Sequence, residues 1–256
     1  MSACGQRQDG LQTYYRDFVM HSEQKLSLNL PSGKVQIQGG DQETIEIIGM
    51  LPADVHIEES PDGITLSLGE NGLQNQLGNA ELQVTVPNGL SIEINTFSAD
   101  ISLKDIQGKL KVVSVAGDIS AKGLSGDILL KSGRGDVRVE NCEGDVRVLG
   151  EHGVLELVNV QGVVSSATIM GTIDFKGSIN NGDDIFLETD HGPVKVMVFD
   201  PMDFQAKAWT ASGEVACMIP GLMQTVDGCV GNIGAEPAGK LSIKTVSGEI
   251  WIDQLP

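Results

Sequence analysis

Glycine recurs every nine residues through the middle of the chain, at 108, 117, 126, 135, 144, 153, 162 and 171, with Ala99 one step earlier. A fixed period of this kind means that one small unit is stacked on copies of itself, which constrains the fold more than any other feature. With glycine as position zero, position two reads Ile101, Leu110, Ile119, Ile128, Val137, Val146, Leu155, Val164 and Ile173. Position four reads Leu103, Val112, Ala121, Leu130, Val139, Val148, Leu157, Ser166 and Phe175. Position seven is apolar at Ile106, Val115, Leu124, Cys142, Val160 and Ile169, and is interrupted by Gly133 and Glu151. Alternation at two and four is the period of a strand with one buried face. The three-residue step to position seven requires a bend.

Two stackings compete. An antiparallel meander with turns at positions eight and zero would oppose position two with position six. Position six is polar or glycine throughout (Asp105, Ser114, Gly123, Ser132, Asn141, Gly150, Asn159, Thr168), so the apolar rows would not meet. Parallel stacking lays like upon like. Nine residues cannot enclose a core, so two units should close one coil. The expectation is an all-β chain wound as a parallel β-helix (a β-solenoid) with about 18 residues per coil and almost no helix. Coils roughly 4.8 Å apart would stack residues 97–179 to a height of about 20 Å.

The flanks divide the chain further. Residues 1–19 read as a flexible N-terminal tether. Residues 20–96 read as an irregular, β-rich leading and capping region with strands at 34–38, 44–48, 54–58, 63–68 and 81–86, separated by Gly, Pro and Asn turns. Residues 97–179 carry the regular repeat. Residues 180–256 read as degenerate coils with loop insertions and a C-terminal cap. There the pattern returns in Gly192-Pro-Val-Lys-Val, Gly213-Glu-Val-Ala-Cys, Gly239-Lys-Leu-Ser-Ile and Gly248-Glu-Ile-Trp-Ile, with 218–237 as the longest insertion.

Charge narrows the partners. Seventeen Lys and Arg against 35 Asp and Glu give a formal net charge of −18 over 256 residues. That balance argues against nucleic acid or an anionic membrane surface, both of which need a basic face. No apolar run approaches the roughly 20 residues of a membrane span. Of the four cysteines, Cys142 and Cys217 fall on apolar repeat positions and read as small core residues. A Cys217–Cys229 bridge is open but has no support from the spacing. Met1-Ser2-Ala3-Cys4-Gly5 resembles the end of a lipoprotein signal, which makes Cys4 a lipidation candidate and Gln6–Gln12 its tether. The basic and apolar segment of such a signal does not precede it, so a cytoplasmic location stands as the alternative.

The stretch Val86-Pro-Asn-Gly-Leu-Ser-Ile-Glu93, then Ser98-Ala-Asp-Ile-Ser-Leu103, leads into Gly117-Asp-Ile, Gly126-Asp-Ile, Gly135-Asp-Val and Gly144-Asp-Val. Together with Ser32-Gly-Lys-Val-Gln-Ile37, this resembles the bacterial putative-adhesin domains, a family of unknown function, over roughly residues 20–253. The resemblance implies a β-solenoid tied to the bacterial cell envelope, with no catalytic residues to carry over.

The chemistry-bearing residues are few. At 18-residue spacing Asp100, Asp118 and Asp136 form one column, and Asp127 and Asp145 another. Carboxylates stacked about 4.8 Å apart repel by roughly 1 kcal/mol even in water. Calcium would relieve this, and so would side-chain hydrogen bonds to turn amides. Arg134-Gly135-Asp136 spells an integrin-binding tripeptide, but its Gly and Asp are repeat positions. There is no G-x-S-x-G elbow, phosphate-cradling glycine loop or H-E-x-x-H. The histidines at 21, 56, 152 and 191 are scattered, and His152 and His191 each precede a turn glycine. Gly228–Gly234 reads as an insertion loop, and the only tryptophans are Trp209 and Trp251, the latter at an outward position. The expectation is a non-enzymatic adhesin, scaffold or binding module that needs no cofactor. Its partner would be an envelope protein or polysaccharide, met by outward residues and by loops near 180–192 and 218–237. The alternatives are a carbohydrate-active enzyme on a parallel β-helix and an intracellular regulatory scaffold.

Overall fold

The computed structural model of the protein describes residues 11–19, 24–52, 55–68 and 80–255, and among these none is helical. The fold is all-β and solenoid-like. Its centre is a set of parallel strands in which each residue pairs with the one eighteen positions on. That register runs from Ile92↔Leu110 and Ile101↔Ile119 through Gly126↔Gly144 and Val137↔Leu155 to Val158↔Lys176. Positions two and four therefore stack as continuous aliphatic ladders. Ile101, Ile119, Val137, Leu155 and Ile173 line one side of the core, and Leu110, Ile128, Val146 and Val164 the other, each at most 2% exposed.

The two nine-residue halves of a coil are not equivalent, which corrects the reading of positions six and seven. At one corner position seven points inward, burying Ile106, Leu124, Cys142 and Val160. Position six there is a left-handed turn residue, with φ of 52° at Asp105, 67° at Gly123, 52° at Asn141 and 53° at Asn159. Asp, Asn and Gly are the residues that tolerate this conformation. At the other corner the strand continues one residue further. Position six then turns inward as buried hydroxyls (Thr96, Ser114, Ser132, Thr168), while Val115 and Ile169 at position seven stand about half exposed. Gly133 and Glu151 interrupt position seven because there it faces solvent.

The position-zero glycines share one cause. A Cβ at Gly117 would lie 2.4 Å from the Ala99 carbonyl oxygen, at Gly135 2.3 Å from that of Gly117, and at Gly153 2.6 Å from that of Gly135. Each coil's turn passes so closely over the last that only hydrogen fits.

After residue 176 the register changes. A three-residue insertion shifts pairing to twenty-one positions, Val164↔Ile185 and Ile173↔Val194. The next coil in space is then the last in sequence. Strands Gly239–Ser247 and Ile250–Gln254 lie on Asp184–His191 and Val194–Met202, and carry on their far side Phe204–Ser212 and Val215–Cys217. The C-terminal coil is thus interior and not the cap. The span 218–237 is no plain loop either. Leu222–Gln224 and Gly228–Ile233 form a hairpin that pairs antiparallel with Phe204–Ser212 and closes the stack. Cys217, read above as a core residue, is bonded to Cys229 of this hairpin. Only Cys142 remains a free buried thiol among the described cysteines, pushed up in pKa by burial.

The other end repeats the device. Strand Lys25–Gly40 pairs on one side with Ser91–Lys104 and on the other with Gly63–Leu68 and Glu81–Pro87. Those outer strands are covered antiparallel by Val55–Ser60 and Thr44–Pro52, and Thr44–Pro52 in turn by Leu11–Val19. The latter part of the expected tether, residues 11–19, is therefore a strand of the cap.

Three substitutions test this packing by stability. Gly135→Val puts a branched side chain at φ 140° against a carbonyl, and should cost about 2–4 kcal/mol in urea unfolding. Gly89→Ala, at φ 83° with nothing within 4 Å, should cost clearly less. Replacing both Cys217 and Cys229 by Ser should lower the urea midpoint by an amount equivalent to about 3 kcal/mol, because the bridge closes a loop with a sequence separation of 12.

Candidate functional site

The outward-facing residues fall into columns, since every strand sits in register with the next. One column crosses twelve strands on what we term the front face. It runs Tyr15, Ile48, Gln83, Gln36, Ser102, Ser120, Arg138, Glu156, Asp174, Lys195, Trp251 and Ala216. At strand spacing it is about 50 Å long. An exposed aromatic stands at or near each end, Tyr15 at 62% and Trp251 at 47% exposure.

The Asp100, Asp118 and Asp136 column lies beside it. Each carboxylate accepts a backbone hydrogen bond from the next coil. The Asp118 amide donates to Asp100 Oδ1 at 3.1 Å, the Asp136 amide to Asp118 Oδ1 at 2.8 Å, and the Val154 amide to Asp136 Oδ1 at 2.8 Å. The column thus works as a ladder of turn amides. Among the described residues no three His, Cys, Asp or Glu side chains gather to hold a metal ion. Arg134-Gly135-Asp136 is absorbed in the same way, its glycine under a carbonyl contact and its aspartate bonded to the next coil. Cys4 lies outside the described residues.

Further along the face, opposite charges are interleaved across adjoining columns. Arg138 pairs with Glu140 at 2.9 Å and with Glu156, and Lys176 with Glu156 at 3.2 Å and Asp174 at 3.0 Å. Toward the N-terminal end these ion pairs thin out around a hollow of about 270 Å³ whose polar walls are Gln36, Gln38, Gln83, Thr85, Ser102 and Lys104, the last 3.7 Å from the Asp105 carboxylate. No carboxylate lines it, in a chain of net charge −18. Gln side chains offer donors and acceptors together, so the hollow suits a ligand dense in hydroxyls. Tyr15 stands two strands beyond Gln83 along the same row. Its hydroxyl pKa is raised by the nearby charge of Glu46 and by a hydrogen bond to it.

Sequence reasoning named the Asp columns and the outward positions but missed this hollow. Its walls come from the irregular strands Lys25–Gly40 and Glu81–Pro87, whose partners lie 47 and 66 residues away in the chain, as in Val35↔Leu82 and Val35↔Ile101. A run of Gln at alternate positions, Gln36 and Gln38, was the available signal.

These observations define an all-β, solenoid-like chain with a polar, hollowed face. The family model described as Toastrack DUF4097 matches residues 23–253, and the chain belongs to that family, one of unknown function. No curated protein matches the chain. Among solved structures it is similar to a putative cell adhesion protein from Clostridium sporogenes (15% identity, 95% of this chain and 100% of that one covered, TM-score 0.33). It is also similar to putative adhesins from Bacteroides fragilis (13%, 95% and 97%, TM-score 0.48) and Parabacteroides distasonis (11%, 94% and 98%, TM-score 0.34).

One ionisable group ties the leading coil to the repeats. Glu93 accepts from Lys25 Nζ and, at 2.9 Å, from Lys111 Nζ, and these bonds hold its carboxyl at about 2 against an opposing effect of burial. A depressed carboxyl stabilises the fold above its unfolded value and loses that contribution as pH falls through the folded one. Between about pH 4.5 and 2 the wild type should therefore lose roughly 1 kcal/mol more stability than Glu93→Gln, the lysines' exposure limiting the effect. Urea titrations across that window check it.

Proposed function

We propose that this chain is a non-enzymatic binding module of the bacterial cell envelope, wound as a parallel β-helix, whose front-face hollow receives a hydroxyl-rich polymer such as a polysaccharide. The observation that carries the reading is the hollow itself. Three glutamines, two hydroxyls and one lysine meet there without a carboxylate lining the hollow, on a face whose twelve stacked strands are long enough for an extended chain. Amide and hydroxyl groups exchange hydrogen bonds with sugar hydroxyls at little net desolvation cost, and Tyr15 offers a ring for a sugar face.

An extracytoplasmic location is supported by the Cys217–Cys229 bond, since such bonds persist in oxidising compartments. Anchoring through Cys4 would place the module at the membrane surface. The acidic ladder favours binding over hydrolysis as the role of this face, because its carboxylates are engaged with backbone amides.

Calorimetry against purified envelope polysaccharides tests the reading. The expected result is saturable binding that weakens about tenfold when Gln36 and Gln83 are both replaced by Ala, two hydrogen bonds' worth, and that also weakens in Tyr15→Ala. Binding to no polysaccharide, binding untouched by these substitutions, or shortening of the polymer would overturn it.

A further inference from the structure

At the corner where position seven faces solvent, the residues just before the glycines stack as a ridge. Its register brings together residues that the chain spaces far apart. Arg134 pairs with His152, His152 with Met170, Met170 with His191, and His191 with Ser247. The two imidazoles therefore flank one thioether, on three successive coils. All three side chains are exposed, Met170 at 50%. Neither imidazole makes a hydrogen bond or ion pair.

We propose that His152, Met170 and His191 form a binding site for a soft monovalent cation, copper(I). The two histidine Cα atoms stand about 10 Å apart across two strand spacings. Imidazoles leaning toward each other from that separation meet over the methionine between them, where its sulfur supplies the third donor. Thioether with imidazole is a soft donor set, which selects copper(I) over zinc or calcium. Copper(I) is content with two or three ligands, so a row on an open ridge suffices. Glu151 and Asp190, each next in sequence to an imidazole, add negative charge. Arg134 and Ser247 bound the row at its ends and contribute no soft donor. The site is independent of the front-face hollow and does not rest on the polysaccharide reading.

The test uses the full chain carrying Cys4→Ser, His21→Ala and His56→Ala, so that neither another imidazole nor the Cys4 thiol can donate. Copper(I), kept reduced with ascorbate under anaerobic conditions, is competed against a chromophoric copper(I) chelator. One equivalent should bind. His152→Ala and His191→Ala should each weaken it at least about tenfold, the scale on which even supporting groups of a metal site act. Met170→Leu should weaken copper(I) while leaving any zinc binding unchanged. X-ray absorption of the copper-loaded protein should show a sulfur scatterer that Met170→Leu removes and a nitrogen shell that it retains. All three side chains being exposed, the variants should melt with the parent, and a melting curve confirms that. Undiminished copper(I) affinity in the His152→Ala, His191→Ala double variant, or a sulfur scatterer that survives Met170→Leu, overturns the proposal.

Discussion

Parallel main-chain pairing between residues eighteen apart is the constraint from which the rest of this structure follows. Once a residue is bonded to its own equivalent above and below, its side chain must tolerate a copy of its environment about 4.8 Å away in both directions. For aliphatic groups this is favourable, and the ladders at positions two and four are buried almost completely. At position zero it is restrictive, because the carbonyl of one turn occupies the space of the next turn's Cβ. For charges it would be repulsive, and the chain answers in two ways. The Asp100–Asp136 column spends its carboxylates on the amides of the following coil. The neighbouring columns set opposite charges against each other, Arg138 between Glu140 and Glu156, and Lys176 between the stacked carboxylates Glu156 and Asp174.

What could be read from the residues alone is what repeats. Glycine at nine, the alternation at two and four, and the rejection of a meander from the polarity of position six were sufficient for like-on-like stacking. The inequivalence of the two corners was hidden by treating nine as the unit. At 18-residue spacing the split appears in the sequence too, since Ile106, Leu124, Cys142 and Val160 are uniformly apolar whereas Phe97, Val115, Gly133, Glu151 and Ile169 are not. The order of the last coils was not legible. Leu241 pairs with Ile185 and Ala206 at once, and both coils match the same loose pattern, so local periodicity cannot say which lies between which. The hollow was missed for a related reason, as its walls come from strands paired over long sequence separations.

Both ends solve the problem of an open coil alike. A bare coil end presents a row of unpaired backbone groups and invites further stacking. Here the first and last coils in sequence are each placed one layer inside, so each is paired on two sides. The long strand of each outermost layer is then covered by an antiparallel strand whose direction breaks the parallel pattern, Thr44–Pro52 on Glu81–Pro87 at one end and Gly228–Ile233 on Phe204–Ser212 at the other. The disulfide fastens the second cover at the strand Val215–Cys217. Such an arrangement sets the copy number of the coils, because nothing parallel can be added without first displacing an antiparallel cap.

Specific chemistry in such a molecule arises where the period is broken. A strictly repeated column offers every ligand the same groups at every step, and so fixes spacing without fixing position. The front-face row becomes distinctive at Gln36 and Gln83, where irregular strands replace the repeat, and at Tyr15 and Trp251 toward its ends. The corner ridge becomes distinctive at His152, Met170 and His191, where a position filled elsewhere by Ser98, Ala116 and Arg134 takes soft donors on three consecutive coils. The regular coils hold these departures in register, and the departures give each face a stretch whose groups differ from those one coil away.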